Sequence, residues 1–217
     1  MITISAFRWV PSFAQGLVRD LRVRWALEEA GIPYEVKLLN QGDQKTETYR
    51  QMQPFGQVPF YQEDDLVLFE SGAILLHIAE KSEVLLPKDP RSVARIRSWI
   101  FAALSSIEPF MQNLSIIDLF CPGEEWAKLR RPAALESLAG RLQDLSNSLG
   151  DREYLECGRF TAADLLMTTV LRIPRHTDLV QKLPNLEAYR LRCEARPAFQ
   201  RALSGQMKPF AEGRPRS

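Results

Sequence analysis

Residues 54–71, which read PFGQVPFYQEDDLVLFES, constrain the fold of this chain more than any other stretch. They hold a Gly-Gln-Val-Pro turn, two short apolar runs separated by an acidic turn, and a Glu-Ser pair where a helix pattern begins. Because proline cannot donate to a sheet ladder, Pro59 predicts a tight bend where the first strand starts. Such a bend turns the amide and carbonyl of Val58 out of the sheet, free to pair with an extended peptide.

A second binding feature follows at Ser71, where the helix pattern begins. The first N–H groups of a helix are unpaired and carry partial positive charge, so a helix start attracts carboxylates. The bend at Val58 and the helix start at Ser71 together predict a cradle for a small acidic peptide.

The pattern before this segment is strand, helix, strand. Ile2–Phe7 is β-branched, Leu17–Ala30 has apolar residues at helical spacing, and Tyr34–Leu39 alternates apolar and charged side chains. A right-handed unit with parallel strands is expected from this order. Two further strands and a helix follow at Val58–Gln62, Leu66–Glu70 and Ser71–Glu80. The order βαβ and then ββα predicts a mixed four-stranded sheet in an α/β N-terminal domain.

Strand patterns are absent from the rest of the sequence, after residues 82–92 (SEVLLPKDPRS), which we interpret as a linker. Helix patterns cover Val93–Leu119, Glu124–Leu149, Thr161–Ile173, Asn185–Arg196 and Pro197–Leu203. The sequence therefore predicts an α/β domain over residues 1–81 and an all-helical domain over residues 93–217.

The composition excludes several classes of function. Of the 217 residues, 45% are hydrophobic and 25% charged, which is ordinary for a globular protein. A formal net charge of +1 offers no basic field for nucleic acid or an anionic membrane. The sequence shows neither an apolar run of membrane-spanning length nor a signal-peptide pattern at its start. We therefore expect a cytoplasmic protein without nucleic-acid or membrane partners.

Cysteine and histidine are too few and too scattered for a metal site or a disulfide framework. The cysteines are Cys121, Cys157 and Cys193, with no Cys-x-x-Cys pair, and the histidines are His77 and His176. We expect no bound metal, and cysteines that pack as small apolar side chains.

Four segments carry a resemblance to a known family. They are RVR at 22–24 leading into EEAGIPYE at 28–35, PFGQVP at 54–59, ESGAI at 70–74 and GRFTAAD at 158–164. In this order and at these separations they resemble the glutathione transferase superfamily of the cytosolic type, over essentially the whole chain. The resemblance implies a thioredoxin-like N-terminal domain and a helical C-terminal domain. The chain resembles a bacterial-like member of this superfamily, with an atypical loop after the first strand.

The function that the resemblance implies is glutathione transfer. Such an enzyme binds glutathione as cosubstrate, activates its thiol as thiolate and adds it to a small apolar electrophile, a detoxification reaction. Homodimers are usual in the family, with the α/β domain of one subunit against the helical domain of the other. Alternatives are a glutathione-dependent peroxidase, isomerase or disulfide-bond reductase on the same fold, or a non-catalytic binding module. The divergent loop at residues 8–16 motivates the last of these.

The resemblance also implies which residues bind glutathione. The bond before Pro59 is cis, and Val58 pairs its main chain with the cysteinyl part of glutathione. Glu70 accepts from the γ-glutamyl ammonium, while Ser71 holds the γ-glutamyl carboxylate. The alternatives are that Pro59 only shapes the hairpin and that Ser71 is only a helix cap.

Loop side chains are expected at the glycyl carboxylate of glutathione. Gln57, Lys45 and Gln44 have the chemistry that the family uses there, between the second strand and the Val-Pro bend. The alternative is that these side chains are only solvated.

The position of the catalytic hydroxyl departs from the family pattern, because the segment between the first strand and the first helix holds about five extra residues and no Tyr or Cys. Ser12 is its only hydroxyl and is our candidate donor to the glutathione sulfur. Gln15, Arg19 and main-chain N–H groups at the helix start are rival donors. Ser5 lies inside the strand and is expected to face the core or the far side of the sheet. Without a cysteine here, thiol-transfer and dehydroascorbate reduction are not expected.

Two further features have mainly structural interpretations. Thr161 and Asp164 form a capping-box pattern in front of an apolar helix, which supports folding. Apolar side chains with the chemistry of an electrophile pocket, or of core, are Trp9, Phe13, Phe101, Leu104, Ile107, Phe110, Met111 and Leu114.

Overall fold

A computed structural model of the chain describes residues 1–213, which divide between two compact units. The first unit comprises Met1–Leu86 together with the chain from Arg196 onward, and the second comprises Pro87–Ala195. This division differs from the expected domains 1–81 and 93–217, because the last helix belongs to the first unit.

Helices dominate both units. In chain order they are α1 (Asp20–Ala30), α2 (Glu47–Arg50), α3 (Ser71–Ala79), α4 (Pro90–Ala102), α5 (Glu108–Ser115), α6 (Glu125–Leu149), α7 (Ala162–Leu171), α8 (Pro184–Glu194) and α9 (Pro197–Ala211). Short 3₁₀ helices occur at Ser12–Ala14 and Asp43–Lys45.

A four-stranded sheet forms the centre of the first unit. Its strands are β1 (Ile2–Phe7), β2 (Tyr34–Leu39), β3 (Tyr61–Glu63) and β4 (Leu66–Leu68). The strand order is β2-β1-β3-β4, with β1 parallel to β2 and antiparallel to β3, and β3 antiparallel to β4. Ile4 therefore lies opposite both Val36 and Tyr61. The predicted mixed sheet and thioredoxin-like order are confirmed.

Two strands and the first helix are shorter than the sequence pattern predicts. β3 begins at Tyr61 rather than Val58, because the bend occupies the preceding residues. α1 begins at Asp20 rather than Leu17, because the chain before it forms the 3₁₀ turn at Ser12–Ala14 and a left-handed bend at Gly16, φ 77°. The loop after β1 is thus longer than the expected one.

The last helix packs on the first helix within the first unit. The rings of Trp25 and Phe199 meet edge to face with centroids 4.8 Å apart. The guanidinium of Arg196 donates twice to the carboxylate of Glu29, at 2.6 and 2.7 Å. Because Trp25 is fully buried, α9 completes the core on this side, which explains why the chain after Arg196 belongs to this unit.

The second unit is a helical bundle built around α7, every residue of which is buried. α7 packs against α4 and α8, while α6 directs the apolar stripe of Leu138, Leu142 and Leu145 inward. Between α4 and α5 the helix widens into a π-helical stretch at Ala103–Ile107. Pro109 has no N–H for the carbonyl four residues earlier, which favours a widened turn at that point.

The run Pro90–Phe120 meets the length and apolarity of a membrane-spanning helix. In the fold, 44% of its most apolar window is buried inside the protein. A core helix passes the same test of length and composition, so the run carries no argument for a membrane.

A buried carboxylate holds the start of α7. Asp164 accepts hydrogen bonds from the Leu155 amide and the Tyr189 hydroxyl on one oxygen, at 2.9 and 3.0 Å. Its other oxygen accepts from the Thr161 amide and hydroxyl, both at 2.9 Å. Burial is the largest influence on Asp164 and raises its pKa, while the four donors lower it. The capping box forms as the sequence predicts and binds the loop at Leu155 as well.

Candidate functional site

The loops that carry the candidate site residues meet at one end of the sheet in the first unit. An apolar cluster of Leu39, Tyr49, Val58 and Phe60 lies beneath them, with Phe7, Val18 and Met52 packed at its edge. The cluster joins the ends of β1 and β2 to α2 and to the bend before β3. Residues far apart in sequence are thereby held around a common centre.

The bend at Val58 presents main-chain polar groups. The Val58–Pro59 peptide bond is cis, and the Val58 residue is 7% exposed. The ladder between β1 and β3 starts at Phe60, whose carbonyl accepts from the Ser5 amide at 3.1 Å. Within residues 1–213, neither the amide nor the carbonyl of Val58 has a hydrogen-bond partner. Buried main-chain groups rarely stay unpaired, so this bend has the character of a peptide-binding edge.

The start of α3 gathers a hydroxyl, a guanidinium and a carboxylate. Ser71, 5% exposed, accepts a hydrogen bond on its Oγ from Nη1 of the buried Arg22 in α1, at 3.1 Å. Glu70 precedes the helix with φ 67°, and its exposed carboxylate has no hydrogen-bond partner in the described chain. A buried cation at the positive end of a helix attracts a carboxylate, and a free carboxylate beside it attracts an ammonium group.

The sequence pattern did not identify Arg22 as a site residue. It lies in the Arg-Val-Arg motif, which was used only to recognise the fold. A charged residue between the apolar Leu21 and Val23 was the available signal. The partner of Arg22 could not be predicted, because the contact with Ser71 spans 49 positions and depends on tertiary packing.

The loop that carries Lys45 lies against the loop that carries Gln57. At Gly56, φ 63°, an added Cβ would lie 2.8 Å from the main-chain oxygen of Gln44, so only glycine fits there. Lys45 and Gln57 are both exposed. The side-chain oxygen of Gln44 accepts from the Gly42 amide at 2.8 Å, which commits it to its own turn. Of the three loop candidates, Lys45 and Gln57 have side chains without a hydrogen-bond partner in the described chain.

Ser12 lies in the 3₁₀ helix after β1, exposed, and its hydroxyl has no hydrogen-bond partner among the residues that the structure describes. The loop is fixed to the end of β2, where the Arg8 amide donates to Leu39 at 2.8 Å and Gln41 donates to the Trp9 carbonyl at 3.0 Å. The loop therefore lies at the same end of the sheet as the Val58 bend.

Unlike the Ser12 hydroxyl, the rival donors already have interactions within the protein. The side-chain amide of Gln15 donates to the Val10 carbonyl at 3.1 Å, inside the same loop. Arg19 directly precedes α1 and has interactions of its own. Ser5 is fully buried, as expected, and takes part in a hydrogen-bond chain beneath the bend.

The apolar candidates for an electrophile pocket separate into core and surface. In the second unit Ile107, Met111 and Leu114 are buried core residues. Phe101 is 59% exposed, and the Phe110 ring carries the Arg141 guanidinium 4.9 Å from its centroid. Helical spacing alone could not distinguish these two groups.

Metal-ligand clusters and disulfides are not features of the described chain. Residues 1–213 contain no group of three or more His, Cys, Asp or Glu side chains placed to hold a metal ion. The three cysteines form no disulfide within these residues, and Cys157 is exposed, Cys121 half-buried and Cys193 buried.

Family models match both halves of the chain. "Glutathione S-transferase, N-terminal domain" matches residues 15–80, and "Glutathione S-transferase, C-terminal domain" matches residues 110–197. Among curated proteins, a glutathione S-transferase from Hyoscyamus muticus is 31% identical over 196 residues, which cover 84% of this chain and 92% of that one.

Solved structures share the fold of this chain. Glutathione transferase F7 from Populus trichocarpa has a TM-score of 0.82 at 23% identity and covers 95% of this chain and 99% of that one. A glutathione transferase from Burkholderia graminis, with two glutathione molecules bound per subunit, has a TM-score of 0.82 at 26% identity, covering 94% and 87%. The sequence matches and the fold agree with the resemblance of the four segments. The chain belongs to the glutathione S-transferase family.

Proposed function

We propose that this protein is a glutathione transferase that activates the thiol of glutathione as a thiolate and conjugates it to a small apolar electrophile. The observation that carries the proposal is the Val58 bend, whose amide and carbonyl are unpaired in the described chain although the residue is buried. Two antiparallel main-chain hydrogen bonds at this edge would align the cysteinyl part of a tripeptide. Family membership supports the same ligand.

The γ-glutamyl end of glutathione carries a carboxylate and an ammonium group, and the start of α3 is complementary to both. We assign the carboxylate to Ser71 and the positive helix end, with the Arg22 guanidinium supplying charge behind the serine. The exposed carboxylate of Glu70 is assigned to the ammonium group. This pairing neutralises each ligand charge with its opposite.

The glycyl carboxylate at the other end of glutathione is assigned to Lys45 and Gln57. Their loops touch at Gly56, and both side chains are exposed. An ammonium and an amide give donors for both carboxylate oxygens. These contacts are solvent-exposed, so each contributes less to affinity than the buried contact at Ser71.

Ser12 is assigned the chemical role. Its hydroxyl would donate a hydrogen bond to the glutathione sulfur, which favours the thiolate over the thiol and lowers the thiol pKa. The thiolate then forms the new carbon–sulfur bond, and either the leaving group departs with its electron pair or the electrophile takes up a proton. Holding both reactants together supplies the rest of the rate enhancement.

Calorimetric titration with glutathione tests the binding half of this proposal. We expect a Kd between about 1 µM and about 1 mM, in the usual range for enzyme substrates. If glutathione gives no heat of binding, and free glutathione does not release the protein from an immobilised glutathione resin, the proposed function is wrong.

A Ser12→Ala variant tests the chemical half. A charge-assisted hydrogen bond contributes about 1.5–3 kcal/mol, so its loss should raise the pKa of the bound thiol by about 1–2 units. The pH profile of conjugation with a chloronitroaromatic substrate reports this pKa. Ser148→Ala, an exposed serine of α6, is the matched control and should leave the profile unchanged. A Ser12→Ala variant with the unaltered profile excludes Ser12 from the catalytic role.

A cytoplasmic homodimer with a role in detoxification is also proposed. The first unit exposes Phe55 and Phe69, 64% and 40% exposed, whose ring centroids lie 6.1 Å apart, and the second unit exposes Phe101. Exposed aromatic groups of this size are typical of protein interfaces. Sedimentation at low micromolar concentration should give the mass of a dimer, and a monomer there contradicts the assembly.

A further inference from the structure

A buried chain of two hydroxyl groups lies beneath the Val58 bend. Ser5 in β1 and Tyr49 in α2 are 0% and 3% exposed, and their hydroxyl oxygens lie 2.8 Å apart. The Tyr49 hydroxyl also lies 2.7 Å from the main-chain oxygen of Gln57, and the Phe60 amide nitrogen lies 2.8 Å from Ser5 Oγ. The two hydroxyls therefore connect both ends of the segment 57–60.

The chemistry of the partners fixes the direction of every hydrogen bond. A carbonyl oxygen only accepts, so the Tyr49 hydroxyl donates to Gln57. Having used its proton, the Tyr49 oxygen accepts from the Ser5 hydroxyl. Ser5 Oγ in turn accepts from the Phe60 amide. Each hydroxyl thus donates once and accepts once, and no proton is left without a partner.

Burial supports this arrangement by keeping Tyr49 in its donor form. Removal from solvent is the largest influence on Tyr49 and raises its pKa, while the hydrogen bond with Ser5 lowers it. A neutral phenol can donate to the Gln57 carbonyl, whereas a phenolate cannot.

Two further contacts hold the ends of this segment: Gln53 binds the Gln57 amide, and the Ser5 amide donates to the Phe60 carbonyl at 3.1 Å. The side-chain oxygen of Gln53 accepts from the amides of Phe55 and Gln57, at 2.8 and 3.2 Å, and so fixes the turn before the bend. Within residues 1–213, the main chain of Val58 has no hydrogen bond of its own. Its position is therefore set by its neighbours Gln57 and Phe60, of which the two hydroxyls hold the Gln57 carbonyl and the Phe60 amide.

We propose that Ser5 and Tyr49 are positioning residues for glutathione: their linked hydroxyls hold the segment 57–60 so that the amide and carbonyl of Val58 stay in place for the cysteinyl part. This inference rests on the proposed function, because it assigns Val58 as the main-chain partner of glutathione. Neither residue touches the substrate, and both act through the main chain.

Tyr49→Phe is the sharpest variant, because it removes one oxygen and keeps the ring. The ring contact with Phe60, 5.7 Å between centroids, and the packing in the apolar cluster remain. Loss of one neutral hydrogen bond leaves the Gln57 carbonyl free to move, and we expect the Kd for glutathione to rise about threefold to tenfold. The turnover number at saturating glutathione should change much less than KM, as for a loss of uniform binding.

Tyr34→Phe is the matched control, since it removes a tyrosine hydroxyl of the same unit whose partners, Glu28 and Arg24, lie in α1. Its Kd for glutathione should equal that of the unaltered protein. Ser5→Ala is a second variant, which removes the acceptor of the Phe60 amide. Ser5→Ala combined with Tyr49→Phe should weaken binding by less than the sum of the two single losses, because each single change already breaks the shared hydrogen bond between Ser5 and Tyr49. Calorimetry is done at a temperature where circular dichroism shows every variant to be folded.

The outcomes separate the inference from the function on which it rests. No binding of glutathione to the unaltered protein contradicts the proposed function. Binding to the unaltered protein with an equal Kd in Tyr49→Phe overturns the inference alone. An equal loss in Tyr34→Phe also overturns it, since the effect would then be general weakening, and additive losses in the double variant contradict a single chain.

Discussion

Asp164 gives the sharpest test of how this fold is held together. The carboxylate is fully buried and accepts four hydrogen bonds, two on each oxygen. On each oxygen one donor is a main-chain amide, from Leu155 or from Thr161, and the other is a hydroxyl. Replacement of Asp164 by Asn changes the volume little and removes one acceptor.

The expected loss of unfolding free energy follows from the positions of the two main-chain amides, those of Leu155 and Thr161. An asparagine presents one oxygen and one NH₂ group, so whichever way it is flipped, one main-chain N–H faces another donor. The hydroxyls of Thr161 and Tyr189 can rotate, but the amides cannot. A buried amide left unpaired costs about 1–3 kcal/mol, and the weakened hydroxyl bond adds about 0.5–1.5 kcal/mol. The free energy of unfolding of Asp164→Asn should therefore be lower by about 1.5–4.5 kcal/mol.

Urea unfolding followed by circular dichroism measures this loss as a lower midpoint at an unchanged denaturant slope. Asp144→Asn, an exposed carboxylate on α6, is the control and should stay within about 0.5 kcal/mol of the unaltered protein. If Asp164→Asn also stays within that range, the carboxylate does not hold the loop and the helix start as described. Glutathione binding at a temperature where the variant is folded should be unaffected, since Asp164 lies in the second unit.

Two further predictions concern the first unit. Ser71→Ala removes the acceptor of Arg22 and the proposed partner of the γ-glutamyl carboxylate, so calorimetry should show glutathione binding weakened about tenfold or more. Ser71→Thr keeps the hydroxyl and should bind glutathione nearly as well as the unaltered protein. If Ser71→Ala binds glutathione with the same affinity as the unaltered protein, the assignment of Ser71 is wrong. The hydrogen bond from Lys81, followed by that from the Tyr61 hydroxyl, lowers the pKa of Glu63 from 4.5 to about 2. A lowered pKa in the folded state means that this stabilisation is complete above pH 4.5 and is lost as the pH falls through about 2. Unfolding free energies measured across this window should fall less steeply with decreasing pH in Glu63→Gln, and equal slopes would show that Glu63 is not involved.

Local patterns of residue type and spacing were enough to predict the first two strands. β1 and β2 have the predicted bounds: β1 was predicted from its β-branched residues, and β2 from an alternation of apolar and charged side chains that its burial follows. The start of α1 was predicted three residues too early, at Leu17. Leu17 and Val18 continue the helical spacing, but the contacts of Arg8 and Trp9 with the end of β2 hold the loop in another conformation.

Residues that act through tertiary contacts could not be read from the sequence. Arg22 meets Ser71 only because α1 packs on α3, and Tyr49 meets Ser5 across 44 positions of the chain. A single buried arginine or tyrosine has no spacing pattern that reveals its partner. The main-chain bend at Val58 was predictable because proline itself restricts the backbone. The placement of α9 with the first unit was not, because its partners on α1 precede it by most of the chain.

The position of α9 affects the order in which this protein can mature during translation. The first unit opens at Met1 but is completed only by the helix that starts at Pro197. On the ribosome, the N-terminal segment must therefore wait with the Trp25 side of α1 uncovered, while residues 87–195 are synthesised and become able to fold. The unit that carries the proposed glutathione site is therefore completed only after the residues of the second unit have been synthesised.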